Sequence, residues 1–148
     1  MKTKIIVGAL EQCALPDLEI NNLHMRVDTG AKTSSLHVDN IQEFTREKER
    51  WVSFDIHPDH HDVDRVVRRE ARIKSTRTIK TSSEVAEKRY VIDTTIVINN
   101  SAWPIELNLT DRSNMSYLML LGREAMAGRL IVDPEINYAL SPSNISKT

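Results

Sequence analysis

"LHMRVDTGAKTSSLHV", Leu23 to Val38, joins two apolar alternations across a carboxylate, a hydroxyl and a glycine. The first alternation predicts a strand that ends at Asp28, and the second predicts a new element soon after the break. Glycine accepts backbone conformations that other residues resist, so Gly30 predicts a turn that presents Asp28 at the strand end, aimed into open space. The Thr29 hydroxyl can lock that turn. One carboxylate is a weak catalyst alone. Two brought together cannot both ionise, and the shared proton leaves one base to activate water and one acid to protonate a leaving group. This is aspartic-protease chemistry, and it needs a second loop. Asp93-Thr94-Thr95 begins like the first but lacks the glycine and lies inside a strand pattern.

Working outward, period-two stretches and β-branched residues recur, which predicts a mainly β protein. "KIIVGAL" reads as a short strand, Pro16-Asp17 as a turn, and "LEINNLHMRV" as the strand or hairpin that reaches Asp28. "SSLHVDNIQEF" reads as one element after the glycine, and "RWVSFDIH" alternates until Pro58 stops it. "RVVRREARIK" is extended and basic, and "STRTIKTSSEVAEK" reads as an exposed hairpin tip. "RYVIDTTIVI" and "WPIELNLT" flank an Asn-rich turn and predict a hairpin. The apolar run "YLMLLG" predicts a strand buried on both faces, followed by one or two helical turns over "REAMAG", closed by Gly128. "RLIVDPEINYAL" resumes β character around Asp133-Pro134.

The bulk numbers bound the class. The 148 residues carry 28% charged and 40% apolar side chains at a net charge of -1, a balance expected of a globular chain and neither of a nucleic-acid binder nor of a disordered one. The length suits a single domain, taken as residues 1–140 with a polar tail at 141–148. A lone Cys13 cannot form an internal disulfide, and no apolar run reaches the length of a membrane span, so a cytoplasmic protein with no membrane partner is expected.

The Asp28 loop and the later "MLLGREAM" stand in an order similar to that of retropepsins, where a D-T-G-A loop carries the catalytic aspartate and an apolar-apolar-Gly-Arg segment passes beside it. The strings "VDTGAKTSSLH", "WVSFDIHP", "EKRYVIDTTI" and "WPIELNLTDRSNMSYLMLLGREAMAGRLIVDP" resemble more closely one bacterial retropepsin-like family. That family is linked to RimK-type glutamate ligases and is often labelled an ATP-dependent zinc protease. The resemblance covers roughly residues 4 to 140. It implies an acid-protease-like closed β-barrel with one short helix. It makes Asp28, with Thr29 and Gly30, the catalytic loop, supported by Ala31 and by Gly122 and Arg123.

Three features differ from the viral enzymes. Lys32 follows Ala31 where an aspartate commonly pairs with the late arginine, so Arg123 is expected to find another acceptor. The Ser75 to Lys88 stretch contains no glycine, unlike a viral flap. The chain also continues past its short helix through Asp133-Pro134 and a further strand.

Other candidates receive simpler readings. His57, Asp59, His60, His61 and Asp62 have metal-ligand residue types, but they share one loop with no helix to hold two imidazoles on a face, so no metal is expected there. Zinc is therefore not expected, and ATP has no phosphate-binding Gly-Lys-Ser/Thr loop to receive it. His24 and His37 are expected to be satisfied structural histidines, Trp51 and Trp103 core anchors, and Cys13 a buried small residue. The basic run Arg65 to Lys80 stands out in a chain of balanced charge. If Arg68, Arg69, Arg72, Lys74 and Arg77 lie on one extended arm, Arg68 and Arg72 share a face with Lys74 while Arg69 and Arg77 share the other, and either could hold an acidic peptide or protein tail.

The leading expectation is a homodimeric aspartic peptidase with one Asp28 from each subunit, acting on a peptide or isopeptide bond. The rivals are a non-catalytic binding module partnering a glutamate ligase or acidic tail, and a zinc hydrolase.

Overall fold

The computed structural model describes residues 3–57, 66–80, 86–111 and 117–140. Two antiparallel strands open the chain's main body: β2 (Leu10–Leu15) leads through a 3-10 turn at Pro16–Leu18 into β3 (Ile20–Val27). The predicted strand over Lys4 to Leu10 is interrupted at Gly8 and Ala9, leaving β1 (Ile5–Val7) to pair elsewhere. The element after the glycine also divides, at Val38, into β4 (Ser34–His37) and β5 (Asp39–Arg46), which belong to different sheets.

The remaining strands are β6 (Glu49–Ile56), β7 (Val67–Arg72), β8 (Ser75–Lys80), β9 (Ala86–Ile98), β10 (Ser101–Thr110), β11 (Met119–Leu121) and β12 (Leu130–Val132), with a single turn of helix α1 (Arg123–Met126) between the last two. Strand order β10-β4-β11-β3-β2-β9, closed by the β9–β10 pairing, makes a six-stranded barrel, and β8 extends β9 beyond it. This is the mainly β, closed-barrel fold that the family resemblance implies, with one short α-helix among the described residues. β5, β6 and β7 form a separate antiparallel sheet. Its inner residues Val52, Phe54 and Ile56 are fully buried and join one continuous core with Leu36, Ile92, Leu107 and Leu121 of the barrel.

Local chemistry explains the corners. Asn99 and Asn100 both take left-handed φ, 48° and 68°, the conformation a two-residue hairpin turn demands and asparagine tolerates. Glu47 and Lys48 do the same at φ 52° and 67° without a residue suited to it. Of the expected hairpin tip, Ser75–Lys80 and 86–88 are strand and 81–85 lie outside the described residues. β12 precedes the Asp133-Pro134 turn, and residues 135–140 form turns rather than the expected further strand. Cys13 is buried, as expected, and burial pushes its thiol up to about 12. Trp103 is a core anchor whose Nε1–H donates to the Ala125 carbonyl at 2.9 Å. Trp51 is not one: it lies half-exposed, stacked on Phe44 under the Arg46 guanidinium. Among the described residues, no helix is long and apolar enough to cross a membrane.

Glu11 ties the last described segment to the barrel. It is 1% exposed, and its Oε2 accepts the N–H groups of Gly8 and Ala139, each at 2.8 Å. Tyr138 adds a backbone bond to the Leu10 carbonyl and a hydroxyl contact to His24 Nδ1 at 3.0 Å. A buried N–H without an acceptor costs about 1–3 kcal/mol, so Glu11→Ala is expected to lower unfolding stability by about 2–4 kcal/mol in urea titration. A change under about 0.5 kcal/mol would mean that the carboxylate is not what holds residues 133–140.

Candidate active site around Asp28

β11 lies between β3 and β4, parallel to the first and antiparallel to the second. Met119 and Leu121 are fully buried on one face while Leu120 on the other is only half-buried, so the strand expected to be buried on both faces is fully covered on one. Its end fixes the loop that leaves β3. Asp28 N–H donates to the Leu121 carbonyl at 2.9 Å, Arg123 N–H to Ala31 at 2.8 Å, and Glu124 N–H to Lys32 at 3.2 Å. Gly122 N–H donates to Ser34 Oγ at 3.0 Å. The structure thus brings Asp28, Gly30, Ala31, Gly122 and Arg123 together, with Thr29 exposed between them.

The two glycines act differently from a simple turn rule. Gly30 does not use left-handed φ. Its N–H instead donates to Asp28 Oδ1 at 2.9 Å, and a Cβ there would stand 3.1 Å from that same oxygen, so the missing side chain leaves room for the carboxylate. A Cβ on Gly122 would fall 2.5 Å from both the carbonyl carbon and the oxygen of Thr33. Only glycine permits that approach. Arg123 finds its acceptors in the carbonyls of Gly30 and Thr29, at 3.2 and 3.4 Å, where an ion pair is denied by Lys32.

Sequence reasoning missed the polar framework beneath this loop. Arg89 is 6% exposed and donates from its NH1 to Asn108 Oδ1 at 3.1 Å and from NH2 to Glu87 Oε2 at 3.2 Å. Asn108 passes the chain on, donating from Nδ2 to Thr33 Oγ1 at 3.1 Å, while Ser35 Oγ donates to Asn108 Oδ1 at 2.9 Å. Buried polar groups demand partners. The available signal was Asn108 inside the apolar alternation "WPIELNLT" and the arginine that opens "RYVIDTTIVI".

The basic run divides between two sheets. Arg68 and Arg72 do share the exposed face of β7, with Glu70 between them, while Lys74 and Arg77 lie against the outer side of the barrel. Every one of the five cations already has an acidic neighbour. Arg68 reaches Asp55 at 2.8 Å, Arg69 reaches Glu19 at 3.5 Å, and Arg72 reaches Glu49 at 3.2 Å. Lys74 and Arg77 both reach Glu106 at 2.8 Å, and these bonds, Lys74 first, hold its carboxyl below the usual carboxylate range. His57 stands beside Asp39, whereas Asp59, His60, His61 and Asp62 lie outside the described residues. No group of three ligand-type side chains among the described residues includes Asp28.

A closed six-stranded barrel that presents one Asp-Thr-Gly loop over a Gly-Arg helix start defines a retropepsin-like domain. The chain belongs to the RimB-like family, described as "Retropepsin-like aspartic endopeptidase RimB", whose model matches residues 6–142. It is 49% identical over 95% of its length to a "Probable alpha-L-glutamate ligase" of Parasynechococcus marenigrum, and 46% identical over 93% to one of Shewanella pealeana. The chain spans 30% of the length of each of these relatives. Among solved structures it resembles Lpg0085 of Legionella pneumophila, a protein described as of unknown function. The TM-score is 0.76 at 27% identity, with 94% of this chain and 100% of that one covered.

Because the Gly122–Thr33 approach leaves no room for a methyl group, Gly122→Ala is expected to cost more than about 2 kcal/mol in denaturant unfolding. Gly128→Ala, at φ 79° in open space, should cost only about 1 kcal/mol. Equal costs for the two would remove the steric account of Gly122.

Proposed function

We propose that this domain is an aspartic endopeptidase whose catalytic pair is assembled from Asp28 of two chains. The observation that carries the reading is the Asp28 carboxylate at the end of β3, oriented by the Gly30 N–H in a loop whose backbone is fixed by β11 and α1. One such loop per chain supplies half of a dyad, and a two-fold axis is the commonest way to supply the other half. The β1–β12 pair offers a surface for this. Ile6 and Ile131 are cross-strand partners, both more than half exposed, on a two-stranded sheet to which no third strand pairs among the described residues.

In the pair, one Asp28 takes a proton from water as it attacks the carbonyl carbon, and the other protonates the leaving nitrogen. Thr29 would brace the two loops. Asp28→Asn is expected to leave a folded dimer by light scattering and to abolish cleavage of a peptide library. Monomer alone at tens of micromolar, or turnover retained in the variant, would move the chemistry elsewhere.

The substrate suggested by the relatives' names is an acidic or glutamylated protein tail, with a RimK-type glutamate ligase as the associated partner. Arg68, Arg69, Arg72, Lys74 and Arg77 can serve it only by exchanging their internal carboxylates for those of the peptide. Such exchange gains little per exposed pair and is screened by salt. Oligoglutamate peptides should therefore bind better than neutral ones at low salt and lose most of that preference at high salt. Equal affinity at low salt would leave these cations as internal pairs only.

The second reading, a non-catalytic module that docks on a glutamate ligase, is favoured by the relatives, in which the matched region is a minor part of longer chains so named. An inactive wild-type dimer that binds such a ligase would support it.

A further inference from the structure

At the far end of β4 from the Asp28 loop, four chain segments bring ligand-type side chains together. His37 is the last residue of β4, Asp39 the first of β5, Asp111 follows β10, and His57 follows β6. One donor atom each from His37, Asp39 and Asp111 lies within 4.8 Å of the others. Asp39 is the pivot: its Oδ1 stands 3.6 Å from His37 Nε2, and its Oδ2 stands 2.6 Å from His57 Nε2.

The backbone is arranged for this convergence. The β5–β6 register slips between Asp39 and Gln42, and Asn40 takes φ 51°. Asp39 stays paired with Asp55 at the edge of this bulge, and its carboxylate spans from His37 at the end of β4 to His57 just past β6. His37 is nearly covered, with 11% of its side chain exposed, and Asp39 is one-third exposed. Asp111 is exposed.

We propose that His37, Asp39 and Asp111 bind one divalent transition-metal ion, with His57 holding Asp39 from outside the ligand set. One imidazole and two carboxylates suit Zn²⁺, whereas the imidazole disfavours Mg²⁺ and Ca²⁺, which take oxygen ligands. Bonds of about 2.0–2.2 Å place donors roughly 3–4 Å apart, so separations of up to 4.8 Å need to shorten by at most about 1–2 Å. A carboxylate ligand backed by a hydrogen-bonding partner is the usual outer arrangement of such sites, and the His57–Asp39 contact supplies it. The ion would join β4 and β10 of the barrel to β5, and through His57 to β6. It would staple the small sheet to the barrel and take no part at Asp28.

The test uses the full chain, stripped with a chelator and titrated with Zn²⁺ by calorimetry, with Mg²⁺ and Ca²⁺ as controls. The expected result is one Zn²⁺ per chain and a melting temperature that rises with Zn²⁺ and not with the controls. Asp111→Asn, a conservative change at an exposed position, should keep the circular dichroism spectrum and weaken Zn²⁺ binding more than tenfold. His57→Gln should weaken it by about tenfold, as loss of an outer partner does. With Co²⁺ as a spectroscopic stand-in, His37→Asn should lose the visible bands of the wild type. No binding by the wild type, or binding unchanged in both Asp111→Asn and His37→Asn, would overturn the proposal, because any ion would then be held by other residues.

Discussion

The Asp28 loop depends on three residues of β11 lying between β3 and β4. That placement lets the Leu121 carbonyl receive the Asp28 N–H and lets Gly122 press against the Thr33 backbone. With both ends of the loop bonded to the same short segment, its backbone has few alternative arrangements, and Asp28 is aimed by main-chain geometry instead of by neighbouring side chains. A buried strand of this kind can only be apolar at Met119 and Leu121, and the turn after it can only be glycine. The Asp-Thr-Gly and Gly-Arg motifs are therefore two halves of one packing solution.

Charge follows from the same constraint. With Lys32 in the loop, Arg123 bonds to main-chain carbonyls, and a cation–carbonyl bond asks for less desolvation than a buried ion pair. The buried cation is Arg89, whose NH1 and NH2 groups reach Asn108, Ser35 and Glu87 while its buried Nε has no partner among the described residues. Thr110 completes the set by donating to Glu87 at 3.0 Å. This network links β9 to the loop through Thr33, so the β8–β9 hairpin and the Asp28 loop share one polar foundation. Truncating a member of such a network leaves the others unsatisfied, so it is more sensitive than any single surface pair.

What the sequence disclosed, and what it withheld, divides by the range of the interaction. The Asn99-Asn100 hairpin, the buried β11 and the helix closed by Gly128 rest on local rules, and each could be read from adjacent residues. The break at Val38 could not, because an apolar residue suits both β4 and the core and nothing local says that the chain changes sheets there. Glu47-Lys48 hid a tight turn because its left-handed pair is imposed by the β5–β6 ladder against local preference. The basic run looked like a positive face because its carboxylates, Asp55, Glu49 and Glu106, come from other strands. The histidine-rich loop drew attention by composition, while Asp111 joins the neighbouring His37 and Asp39 only through the β4–β10 register.

β4 also separates the two clusters electrostatically. It has four residues, Ser34–His37, and at about 3.3 Å per residue it puts roughly 10 Å or more between the Asp28 loop and His37. That distance exceeds the screening length of about 8 Å at physiological ionic strength, and the carboxylates of Asp28, Asp39 and Asp111 are each at least partly exposed, whereas His37 is nearly covered. A charge gained or lost at His37, Asp39 or Asp111 therefore acts weakly on the carboxylate of Asp28. Mechanical coupling is another matter, because Ser34 at the near end of the same strand accepts the Gly122 N–H. Anything that steadies the far end of β4 steadies the framework on which the Asp28 loop rests, and does so through packing and hydrogen bonds without altering the field at the carboxylate.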